Sequence, residues 1–249
     1  MNLRRLAIFP AVALAIFAIW KYFFALPVVE NFSDAKYALE NHVFHDHRVT
    51  VYCEAPYDRQ KRIELPKGFT TRAHAARAER MEWEHAVPAE NFGRAFKSWR
   101  EGHKSCVKDG RPYKGRKCAA KVSKTFRKME ADMYNIFPSI GAVNASRRNY
   151  DYAELPFEES AFGSCAAKIG KRSFEPPDAA KGQLARASLY MDAEYRQFRL
   201  SRQQKQLFTA WSSLYPVDRW ECRRAARIER IQGNENRFVK EPCQKAGLW

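Results

Sequence analysis

The sequence has no Cys-x-x-Cys pair, no glycine-rich phosphate loop of either nucleotide-binding type, no His-Glu-x-x-His helix and no Gly-x-Ser-x-Gly elbow. These absences argue against a structural zinc site, thioredoxin-like redox chemistry, nucleotide-dependent catalysis, zincins and α/β-hydrolases. There is no internal repeat, and no shift in composition separates two cores, so one large domain is expected. Acidic charge is also scarce. Against 44 Lys+Arg stand 28 Asp+Glu, a formal net charge of +16, and such a surface attracts a polyanion, either nucleic acid or an anionic membrane face.

What is present begins with an address. Arg4 and Arg5 precede an apolar run from Leu6 to Trp20, and after Lys21 a second run continues to Val29. Residues 1–29 read as a signal peptide or an uncleaved membrane anchor. Phe23 spoils a cut after Ala25, while Leu6 to Val29 could just span a bilayer of about 30 Å if Lys21 snorkels. Both alternatives put residues 30–249 outside the inner membrane: periplasmic, secreted, or anchored facing the periplasm. Six cysteines, Cys53, Cys106, Cys118, Cys165, Cys222 and Cys243, all follow the leader. An even count in an exported chain permits three disulfides, with connectivity open at this level.

Along the body, Ser33 is expected to cap a short helix to about Val43, and Val49 to Cys53 reads as a strand. The intervening His42 to His47 could bind a metal on composition, but a wet connection rich in His is the commoner reading. Met81, Trp83, His85 and Val87 alternate with Glu82, Glu84 and Ala86, which predicts a strand ending at Pro88. Residues 94–128 are read as strongly basic loops suited to a phosphate backbone. A helix is expected up to Pro138 and another from about Asn144. Residues 151–182 look loop-like, and helices are expected over 184–199, 201–214 and 219–231, with Leu184, Tyr190, Met191, Phe208, Trp211 and Leu214 in the core.

The chemistry concentrates at Glu84-His85. A carboxylate suits a hard divalent cation, and an imidazole titrates near neutrality. Regular alternation sends the two to opposite faces, so serving one centre requires the strand to bend or loosen near His85. Asn135 and Asn144 are both candidate neutral oxygen ligands.

Ordered motifs then resemble the bacterial endonuclease I family, periplasmic and secreted DNases of the His-Me (ββα-metal) finger type. They are Val51-Tyr52-Cys53, Glu82-Trp83-Glu84-His85-Ala86-Val87-Pro88-Ala89, Gly115-Arg116-Lys117-Cys118, Met129 to Asn135 and Gly141-Ala142-Val143-Asn144. In the C-terminal half follow Leu200 to Gln204, Leu207 to Trp211, Trp220-Glu221-Cys222 and Gln232-Gly233-Asn234. The resemblance implies an α+β domain with a ββα-metal finger, a helix-rich C-terminal half and disulfide staples. It implies one Mg²⁺ per site, with Ca²⁺ or Mn²⁺ as substitutes, held by Glu84 and Asn144. His85 would be the general base, Arg116 would contact the scissile phosphate, and Asn135 would support the site from behind. It also implies the pairs Cys53–Cys165, Cys106–Cys118 and Cys222–Cys243. The expected protein is a monomeric endonuclease acting on DNA, with RNA left open, and yielding 5′-phosphate ends. The competing expectation is a non-catalytic, membrane-anchored nucleic-acid-binding protein. Three departures stand out: Cys53-Glu54-Ala55 replaces a Cys-Gly-Cys, Leu65 to Phe69 stands where the family has Ser-Cys-Gly-Tyr, and the stretch Asp109 to Lys114 before Arg116 is longer than usual.

Overall fold

The computed structural model describes residues 27–249, so the signal-or-anchor reading of residues 1–26 lies outside it. Among the described residues no helix is long and apolar enough to cross a membrane. The first helix among the described residues, α1 (Phe32–Ala38), is capped by Asn31 rather than Ser33: the Asn31 side chain accepts from the backbone N–H of Ser33 and Asp34. It runs on as a wider turn over Leu39–Val43.

The expected strand over 49–53 is instead a tight turn. Thr50 N–H donates to the Ala55 carbonyl, and the Thr50 hydroxyl accepts from Ala55 N–H. β-Branched residues favour a strand only when a partner is at hand, and here pairing is limited to one isolated bridge, Val49 with Pro56, and a bond from Val51 N–H to the Pro138 carbonyl at 2.8 Å. Strand β1 (Met81–His85) stops at His85, three residues short of Pro88. Residues 94–128 carry more structure than the basic loops expected. After α2 (Ala89–Gly93) come α3 (Lys97–Arg100), a hairpin of β2 (Val107–Lys108) and β3 (Arg111–Pro112), α4 (Arg116–Val122) and α5 (Lys124–Glu130). The lengthened stretch before Arg116 is the tip of that hairpin, turned by Asp109 and Gly110 at φ 52° and 74°, the chemistry a two-residue hairpin turn asks for.

The helix expected to reach Pro138 ends at Glu130. A 3-10 turn (Met133–Asn135) follows, then β4 (Ile136–Ile140), which pairs antiparallel with β1 with Trp83 opposite Pro138. Proline is tolerated because this is a two-stranded ladder with a free edge. Helix α6 (Gly141–Arg147) follows at once, so Asn144 lies inside the helix rather than capping it. Gly141 fixes that start: a Cβ there would sit 2.5 Å from the Arg77 carbonyl oxygen.

The region 151–182, expected as loop, holds a four-stranded sheet of β5 (Asp151–Tyr152), β6 (Ser160–Phe162), β7 (Cys165–Gly170) and β8 (Ser173–Glu175), in the order β5-β8-β7-β6. Helix α7 (Asp178–Glu194) starts and ends about five residues before the expected span, α8 (Arg202–Leu214) and α9 (Arg219–Gln232) lie where expected, and α10 (Arg237–Lys245) is additional. Leu214 is exposed, not core. The whole is α+β, with a helix-rich C-terminal half. Its cysteines join as Cys53–Cys165, Cys106–Cys118 and Cys222–Cys243, the pairs the resemblance implies. The first closes a loop of 112 residues, where the chain-entropy model gives about 4–5 kcal/mol.

Two apolar clusters make the core. One gathers Tyr52, Phe137, Tyr152, Phe174, Phe208 and Trp211; the other gathers Phe92, Phe126, Met129, Ile136, Tyr190 and Ile228. The β1–β4 ladder runs between them, since Phe137 opposite Glu84 belongs to the first and Ile136 opposite His85 to the second.

Candidate active site

A cleft of about 490 Å³ opens where this ladder ends, and Glu84, His85, Arg116 and Asn144 all line it. The ββα succession of β1, β4 and α6 supplies three of the four. Because β1 terminates at His85, the two neighbouring side chains keep opposite faces and still both reach the cleft at the ladder's end. The strand stops rather than bends.

On the first core's side, Glu84 is 5 % exposed. Its Oε1 accepts from the Tyr52 hydroxyl at 3.0 Å and from Arg147 Nη1 at 2.8 Å, and neither bond uses Oε2. Burial pushes the carboxyl up from its usual range, while Arg147 and Tyr52 pull it back toward the ionised form. Arg147 is fully enclosed and also donates to the carbonyls of His85 and Ala86, both at 2.7 Å. Its guanidinium lies 4.4 Å from the centre of the Tyr152 ring. One side chain therefore ties α6 to the last turn of β1.

On the second core's side, His85 is 6 % exposed. Nε2 lies 2.8 Å from the Glu130 carbonyl oxygen. A carbonyl can only accept, so Nε2 carries the proton and Nδ1 keeps its lone pair. Burial, with the Arg116 charge second, pushes the imidazole down to about 3. The Phe32 ring stands 4.8 Å from the His85 ring and 4.9 Å from the Arg116 guanidinium, between the two.

Arg116 opens α4, where the Cys106–Cys118 bridge ties that helix to the hairpin. Its Nε donates to the Glu130 carboxylate, so Glu130 holds Arg116 by its side chain and His85 by its main chain. Asn144 Nδ2 donates to Glu82 Oε2 at 3.1 Å; a carboxylate can only accept, which turns the amide oxygen away from Glu82. Glu82 is itself paired with Arg77 and Arg80.

Asn135 is not on the cleft wall. It is fully buried and closes the loop after β1, accepting from Val87 N–H at 2.7 Å and donating to the Val87 carbonyl at 3.0 Å. The His-rich turn contributes nothing to the cleft: His47 stacks on Trp220 at 3.9 Å, and Asp46 pairs with Arg227. Sequence reasoning missed Tyr52, Glu130 and Arg147. Only Arg147 had a usable signal, its spacing of three residues from Asn144 on one helix face. Among the described residues no group of three or more His, Cys, Asp and Glu could hold a metal ion. Glu84 from β1 and Asn144 from α6 bring a carboxylate and an amide to the cleft wall, which Glu90 and Asn149 also line.

Fold and cleft define a disulfide-stapled α+β protein whose ββα unit presents a carboxylate, an imidazole and an amide to a basic surface. The family model described as Endonuclease I matches residues 30–243. An extracellular deoxyribonuclease of Aeromonas hydrophila is 39% identical over 228 residues, 88% of this chain and 94% of the relative. A periplasmic deoxyribonuclease of the same organism is 39% identical over 209 residues, 81% and 82% of the two chains. Endonuclease-1 of Buchnera aphidicola subsp. Acyrthosiphon pisum (strain APS) is 32% identical over 230 residues, 90% and 86%. The chain belongs to the endonuclease I family and is an endonuclease.

Proposed function

We propose that this enzyme hydrolyses phosphodiester bonds within DNA, independent of sequence, with one Mg²⁺ per site and His85 as general base, leaving 5′-phosphate ends. The observation that carries the reading is the state of His85: one ring nitrogen is committed to the Glu130 carbonyl and the ring is kept neutral beside a cationic arginine. A neutral imidazole with a free Nδ1 takes a proton from an attacking water. Arg116, with Nε committed to Glu130, has both terminal nitrogens to donate to the non-bridging oxygens of the phosphate.

The donors fit a hard cation. Glu84 and Asn144 offer a carboxylate and an amide oxygen from two elements, and two protein ligands leave room for the waters that Mg²⁺ retains; Ca²⁺ or Mn²⁺ would be accommodated by the same oxygens. A cation bound there supplies charge neutralisation at the phosphate and at the departing 3′ oxygen. Arg147 and Tyr52 hold the Glu84 carboxylate in one orientation, and Glu82 does the same for the Asn144 amide.

The relatives' printed names place them outside the cell or in the periplasm, and three disulfides suit the same setting. We assign this enzyme to the periplasm or the medium, acting as a monomer, with any membrane contact confined to its N-terminal segment. RNA is a second substrate to assay. Plasmid nicking in Mg²⁺ and in EDTA by a body starting near Glu30, alongside His85→Ala, tests the assignment. Nicking in Mg²⁺ alone, lost in the variant, is expected; equal nicking by the purified variant overturns it.

A further inference from the structure

Beyond the cleft the surface continues into a second groove of about 270 Å³, and Asn149 lines both. Exposed Arg148, on the cleft wall just before Asn149, holds a φ of 56°. The groove is walled by Arg94 after α2, Arg172 at the β7–β8 turn and Arg199 after α7, with the Tyr150 and Phe198 rings beside them. Segments far apart in sequence thus converge their cations on one channel. Arg148 and Arg172 make no salt bridge or side-chain hydrogen bond among the described residues. Arg199 Nη1 donates to the carbonyls of Asp192, Tyr195 and Phe198 at 2.7, 2.8 and 2.8 Å, which fixes the guanidinium without neutralising it. Arg94 shares a single carboxylate, Glu90. The groove's own acid, Asp151, has Oδ1 occupied by Asn91 at 3.0 Å. Cations so gathered repel one another until an anion relieves them.

We propose that this groove binds the sugar-phosphate backbone of the substrate strand beyond the bond being cut. Arg148 hands the strand from cleft to groove, Arg172 and Arg199 take about two phosphates, and Tyr150 and Phe198 offer ring faces to an unstacked base. The proposal rests on the nuclease reading above. Arg172 sits at φ 60°, so Arg172→Gly removes the charge at a backbone conformation glycine adopts freely.

The test measures anisotropy of a labelled DNA strand of about 20 nucleotides in EDTA across a salt series, then cleavage of that strand and of a trinucleotide in Mg²⁺. For Arg172→Gly, binding should weaken roughly fivefold to tenfold and the salt slope fall by about one. KM on the long strand should rise with kcat unchanged, and the trinucleotide should be cut as by wild type. Lys245→Ala, which removes an exposed cation from α10, should leave all of these unchanged. An unaltered slope and KM for Arg172→Gly, or the same losses from Lys245→Ala, overturns the groove. A wild type that binds in EDTA yet fails to cut in Mg²⁺ overturns the nuclease reading instead, and the anisotropy series then judges the groove by itself.

Discussion

Glu84 and His85 are adjacent in the chain and share almost no surroundings. The carboxylate is gripped by a hydroxyl and a guanidinium, Tyr52 and Arg147, in a pocket of hydrogen bonds. The imidazole has one hydrogen bond, to a main-chain carbonyl, and otherwise lies among the rings of Phe32 and Phe92. The contrast follows the chemistry proposed for each. A cation ligand must stay ionised although buried, which takes a positive partner; a base must stay neutral, which takes an apolar wall.

The largest test of that contrast is His85→Ala. Removing the proposed general base should lower cleavage by roughly 10²–10⁴ with DNA binding retained, as read by plasmid nicking beside a gel shift. On the other face Arg147→Met should act chiefly on the fold. It strands a buried carboxylate, and breaking such a pair costs about 3–5 kcal/mol, visible as a fall in the denaturant midpoint. Unchanged stability would mean that Arg147 does not clamp β1.

The pH response should separate the two sides in EDTA. With His85 held near 3 when folded and about 6.5 when unfolded, the folded chain binds fewer protons between those values. The sign is therefore a stability that is full above pH 6.5 or so and is lost as pH falls toward 3. Urea unfolding at about pH 7 and about pH 4.5 should show His85→Gln losing less than wild type over that interval; equal losses would place the acid sensitivity elsewhere. The smallest expected effect is Phe32→Ala. Loss of one ring contact to His85 and one to Arg116 should cost about 1 kcal/mol, roughly fivefold in kcat/KM.

Legibility in the sequence followed the range of the interactions. The periodicity of α8 and α9 and the alternation of β1 are local signals, and both elements lie close to where they were expected. The β5–β8 sheet was invisible because its strands are two to six residues long, and their pairing depends on a disulfide to Cys53 and on Lys181 reaching Glu175. Pro138 read as a helix stop although it sits within β4, since only the paired strand reveals which edge its missing N–H faces. Within the site, the cleft residues Glu84, His85, Arg116 and Asn144 could be named from motif resemblance. Glu130 and Tyr52 could not: each acts through a contact spanning 45 and 32 positions respectively, and through ordinary residue types.

The ladder's position between two cores has a consequence for how such an enzyme can be altered. Phe137 and Phe174 pack on the carboxylate's side of the ladder and Phe92 and Phe126 on the imidazole's, so substitutions behind them are expected to reach different members of the pair. On the roles proposed for the pair, cation preference and proton-accepting strength would then be adjustable from opposite sides, two dials on neighbouring peptide units.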